Sequence, residues 1–160
     1  MLLVAIVIAA ANALGASDQD DLLFRTTVVR DWTGDGAADT ATITVRGLRL
    51  EEAIATLTVR SSGGPIMADS WPTSNYLLVS DIKDSVERRA YVRRQLEHAL
   101  TAHRLPDDYP TCPGVDEAQC DELKASSQFA LGINRGYENV EVVAWSKKRL
   151  AFVAIEACCD

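Results

Sequence analysis

Between residues 31 and 39 the chain reads Asp31-Trp32-Thr33-Gly34-Asp35-Gly36-Ala37-Ala38-Asp39, with acids at 31, 35 and 39, Thr33 and Ala37 completing an alternating set of oxygen donors, and glycines at 34 and 36. A tightly coiled loop turns alternate side chains inward, and glycine lets the backbone approach with positive φ, so oxygens at this spacing suit a hard cation such as Ca2+. On that reading Asp31, Asp35 and Asp39 are direct carboxylate ligands, Thr33 offers a neutral hydroxyl and Ala37 a backbone carbonyl. An EF-hand would also need a bidentate Glu at the twelfth position, but Thr42 stands there, and the ligand count fails. Three carboxylates without that Glu suggest an affinity of about 0.1 to 1 mM, making the ion a structural staple more than a signal. Gly-Asp-Gly beside Asp is equally hairpin-turn chemistry, in which the carboxylates bond nearby amides. The sequence leaves both readings open.

Other reactive residues form weaker patterns. Ser80-x-x-Lys83 matches the first motif of penicillin-recognising serine enzymes, but no Lys-Thr-Gly follows and the chain is short for that fold. Glu51 and Glu52 are adjacent, so on a strand they face apart and form no acid/base couple. His98 and His103 are five apart, which does not bring them together on a helix, and they are assigned to surface or packing. No phosphate loop, dinucleotide fingerprint or His-Glu-x-x-His occurs. These observations point away from an enzyme.

The elements that must hold the acidic loop can be read from its flanks. Residues 22–30 carry Phe24, Val28 and Val29 among threonines, and Thr40-Ala41-Thr42-Ile43-Thr44-Val45 alternates, giving strand, loop, strand. This arrangement, Val-Val-x-Asp-x-x-Gly-Asp-Gly-x-x-Asp-Thr-Ala, resembles the FG-GAP and VCBS type repeats of secreted proteins. The resemblance covers about residues 26–45 in a single copy and implies a calcium loop between two strands of a β-sheet.

Further along, alternation predicts a strand near 56–60, a break at Ser61-Ser62-Gly63-Gly64-Pro65, a short edge strand over 66–71 and an apolar strand over 76–79. A long helix is expected over about 82–104, capped by Ser80 or Asp81, with Ile82, Val86, Val92, Leu96, Ala99 and Leu100 on its buried stripe. Arg89 and Arg93 fall within that stripe. They are expected to snorkel or to meet carboxylates of the acidic segment after the helix, the functional alternative being an anion-binding or docking face. Residues 106–122 read as a solvated acidic loop, and strands at 128–133, 140–145 and 150–155 close the chain. The expected fold is α+β: a mostly antiparallel sheet of about six or seven strands with one long helix packed on it.

Residues 1–16 read as a signal peptide or an uncleaved anchor, too short an apolar run to span a bilayer comfortably, leaving residues 17–160 as one domain. Four cysteines in the last third fit an oxidising compartment, with at least one bridge involving Cys112 or Cys120 to each other or to the Cys158–Cys159 pair. Net charge −7 argues against nucleic-acid or anionic-membrane partners, which need concentrated positive charge. The expectation is therefore a periplasmic or secreted monomer, non-enzymatic, with a calcium-type loop, a binding or structural role and a protein partner not yet identified. The alternative is an envelope inhibitor or immunity-type protein that docks on an enzyme through the segment from Gly63 to Pro72 or through Cys112 to Cys120.

Overall fold

The computed structural model describes residues 21–78, 80–126 and 129–158. The expected leader, Val79, the side chain of Cys158 and all of Cys159 lie outside that description. The first half of the chain winds into sheet A: β1 (Leu22–Arg30), β2 (Asp39–Arg46), β3 (Ile54–Ser61) and β4 (Gly64–Pro72), antiparallel in that order. After α1 (Ser85–Glu97), the second half forms sheet B from β5 (Leu100–Arg104), β6 (Phe129–Asn134), β7 (Val140–Ser146) and β8 (Ala151–Cys158), again in chain order. A second helix, α2 (Glu117–Ser126), lies between β5 and β6.

Period-two patterning explains sheet A. Ala41, Ile43 and Val45 of β2 and Ala55, Leu57 and Val59 of β3 are fully buried. Their register, Ala41 with Val59, Ile43 with Leu57 and Val45 with Ala55, keeps all of them on one face. On the opposite face Thr27 and Thr42, cross-strand partners, join hydroxyls at 3.1 Å. The inner face packs against Leu100, Leu131, Ile133 and Val143 of sheet B, with Val92 and Leu96 of α1 in the same core. The other face of sheet B buries Ala130, Ala144 and Ile155 under Leu123 of α2 and the Cys112–Cys120 disulfide. The layers are thus sheet A, sheet B and α2.

Polar ties cross the first interface. The Tyr76 hydroxyl donates to the Asn134 carbonyl at 2.7 Å and accepts from the Trp71 indole at 3.1 Å. Arg135 reaches Asp69 of β4 at 2.6 Å and Glu141 of β7 at 2.8 Å.

The expected single sheet with one long helix is corrected: the fold is mostly β, with two four-stranded antiparallel sheets and two short helices. The helix expected over 82–104 spans only Ser85–Glu97, and its amides are capped by Asp84, not Ser80 or Asp81. It stops because the His98 amide turns back to Gln95 and Leu96, and Leu100 to Arg104 pair with β6 instead. Ala99 and Leu100 satisfy a helical stripe and a strand start equally well, so periodicity alone could not separate them. Val86, placed on the buried stripe, is 72% exposed. Tyr76 and Leu77 of the strand expected at 76–79 belong instead to a 3-10 helix, Thr73–Leu77, that seats Tyr76 in the core. The acidic loop 106–122 runs into α2, whose first turn is held by the Asp116 carboxylate accepting from the Gln119 amide. Among the described residues no helix is long and apolar enough to cross a membrane.

Candidate functional site

The acidic loop joins β1 to β2, closed where Arg30 pairs with Asp39. Gly34 and Gly36 have φ of 67° and 88°, the left-handed region that a side chain would strain, and they let the chain reverse between the strands. Asp31 accepts from the Asp35 amide at 3.1 Å and the Gly36 amide at 2.9 Å, and Asp35 accepts from the Ala37 amide at 2.8 Å. Asp39 is fully buried. Its Oδ2 accepts from the Thr33 amide at 3.0 Å and the Thr33 hydroxyl at 3.1 Å, while its Oδ1 has no hydrogen-bond partner.

All five expected positions therefore share one loop, but their carboxylates are engaged with loop amides, the hairpin-turn alternative that the residue types also allowed. Among the described residues no group of three or more His, Cys, Asp or Glu converges at metal-holding distance. The donor chemistry still suits a hard cation, because Asp39 Oδ1 is a bare oxygen in a buried carboxylate and such a group is costly without a counter-charge.

The loop is also a clasp between the sheets. Trp32, with no exposed surface, packs edge-on against Phe129 at the start of β6 (6.4 Å between centroids), and Arg30 lies 5.9 Å above the same ring. Lys147, just past β7, donates its ammonium to the Gly34 carbonyl at 2.8 Å.

The other candidates separate. Ser80 lies before α1 with its hydroxyl on the Leu77 carbonyl, so Ser80 and Lys83 do not open a helix as the serine-enzyme motif requires. Glu51 and Glu52 sit on a 3-10 turn, Glu51 buried and Glu52 exposed. Glu51 meets the half-exposed head of Arg89 at 3.6 Å, so the partner of Arg89 precedes the helix, not the acidic segment after it. Arg93 lies 5.7 Å above Phe24. Trp71, at the end of the segment suggested for docking, is 4% exposed and belongs to the core. Cys112 and Cys120 are bonded to each other, their Cα atoms 5.5 Å apart, and fasten a loop whose tip is exposed.

One constellation was missed by the sequence reading. A cleft of about 330 Å³ opens on the outer face of sheet B, and His98, Thr101, His103, Tyr109, Asn134 and Glu156 all line it. Thr101 and His103, on the same face of β5, hydrogen-bond through Oγ1 and Nε2 at 2.9 Å, and Tyr109 stands edge-on to His103 at 5.2 Å. They meet above Gly132, where a Cβ would come within 2.7 Å of His103 Nε2 and closer still to Thr101 Oγ1. Burial, then the hydrogen bond to Glu156, then the charges of Glu156 and Asp108 push the Tyr109 phenol up to about 12. The available signal was Thr-x-His in a strand opposite a mid-strand glycine, and reading 101–104 as helix concealed it. Comparison with protein families, curated proteins and solved structures finds no match to this chain.

Proposed function

We propose that this chain is an exported, non-enzymatic binding or structural domain whose Asp31–Asp39 loop takes up calcium to brace the clasp between its two sheets. The observation that carries the reading is Asp39, a carboxylate without exposed surface and with one oxygen unpartnered, at the inner end of an oxygen-rich loop. A divalent ion would supply the missing counter-charge, drawing on Asp31, Thr33, Asp35, Ala37 and Asp39. The disulfide supports an oxidising compartment, periplasmic or secreted, because such bonds persist where thiols are not kept reduced.

Thermal unfolding with and without calcium tests this. With a dissociation constant of about 0.1 to 1 mM, about 10 mM calcium should add about 1.4 to 2.7 kcal/mol, a rise of roughly 3 to 10 °C in Tm. Asp35→Ala, at an exposed loop position, should abolish the rise while leaving the calcium-free protein folded. An unchanged Tm in the native protein, or an equal rise in the variant, would remove calcium from the reading.

A further inference from the structure

The outer face of sheet B is covered unevenly. Over Ala130, Ala144 and Ile155 it is closed by α2 and the disulfide loop, whereas over Gly132, Val140 and Val142 it opens into the cleft. The uncovered end is built differently from the covered one. Gly132 is buried in the middle of β6, a position where glycine is less favourable than alanine by about 0.5 to 1 kcal/mol. Its missing side chain is what lets Thr101 and His103 converge over the strand. The volume stands at the lower end of the range for small-molecule sites, about 300 to 1,000 Å³, and an apolar floor with a few convergent polar groups is their usual composition.

The charge of the lining selects the ligand. Glu156 contributes a carboxylate, no Lys or Arg is among the described lining residues, and the basic side chains that line the cleft are the imidazoles of His98 and His103, the latter hydrogen-bonded to Thr101. The Tyr109 ring also lines the cleft, and the face of an aromatic ring attracts cations. Val140 and Val142 supply the apolar floor. An anion would meet Glu156 directly, and a neutral solute would leave its charge answered only by the hydrogen bond from Tyr109.

We propose that the cleft over Gly132 binds a small primary alkylammonium ion, its charged head beside the Glu156 carboxylate and its alkyl chain on Val140 and Val142. The site is separate from the acidic loop, and neither proposal depends on the other.

The test is an amide-resolved NMR titration of the full chain with n-butylammonium and, in parallel, the uncharged n-butanol. Saturable shifts should map to β5, β6 and Glu156, with the alcohol binding at least about tenfold more weakly, the scale of one charge-assisted hydrogen bond. Glu156→Gln should weaken n-butylammonium by about tenfold at unchanged Tm, whereas Tyr109→Phe, which keeps the ring and frees a carboxylate oxygen, should bind at least as tightly. Asp35→Ala should bind normally. No saturation by about 10 mM n-butylammonium, equal binding of the alcohol, or indifference to Glu156→Gln would each overturn the proposal.

Discussion

Tyr76 shows how much a single side chain can do at the interface of the sheets. Its hydroxyl is both donor and acceptor, fixing Trp71 on one side and the Asn134 carbonyl on the other. Burial pushes the phenol from 10.0 up to about 12, opposed by the Trp71 hydrogen bond and the charge of Arg135. Because the folded value lies above the unfolded one, the stabilisation is complete below pH 10.0 and is lost as pH rises toward about 12, when only the unfolded chain ionises at first. Denaturant melts across this window should show the native protein losing about 2 to 3 kcal/mol relative to Tyr76→Phe. Parallel pH profiles for the two proteins would contradict the assignment. Tyr109 titrates in the same range in both, so the difference isolates Tyr76.

Among the elements, the disulfide loop and α2 form a cap whose stability rests on a short covalent closure. Joining Cys112 to Cys120 across a separation of eight residues restricts the unfolded chain, and the double variant Cys112→Ser with Cys120→Ser should lose about 2 to 3 kcal/mol in urea melts. A midpoint unchanged in that variant would mean that the packing of Leu123 and Ile155 holds the cap without the bond. This bridge was one of the alternatives legible in the sequence, since eight residues suffice for local closure. The β2 and β3 strands were legible too, because Thr and apolar residues alternate there, and β1 could be read from Phe24, Val28 and Val29 among threonines, although it does not alternate. The helix boundary at Glu97 was not. Its arrest depends on β6 arriving to pair with Leu100 to Arg104, a contact some thirty residues distant that no local pattern contains. The loop residues at 31–39 could be named from type and spacing. Whether their carboxylates turn to amides or to an ion is a matter of side-chain geometry that spacing does not specify.

At the scale of the whole molecule, sheets A and B are locked by a shared core and by Arg135, which bridges β4 and β7. Burial works against its charge, but the hydrogen bonds and charges of Asp69 and Glu141 prevail and hold the guanidinium above its ordinary pKa. Arg135→Met should cost about 2 to 4 kcal/mol by stranding both carboxylates, and adding Asp69→Asn with Glu141→Gln should recover part of the loss. Strictly additive costs in the triple variant would show that the three groups do not act together. Each sheet is wound from consecutive strands, yet the inner face of sheet A meets its partner only in residues that follow α1. During synthesis the first four strands can therefore pair fully while Ile43, Leu57 and Trp71 still lack their covering layer. Until translation delivers the remainder, the nascent chain presents a sticky half-product, and it is at this stage, more than in the finished protein, that shielding by a holdase would matter.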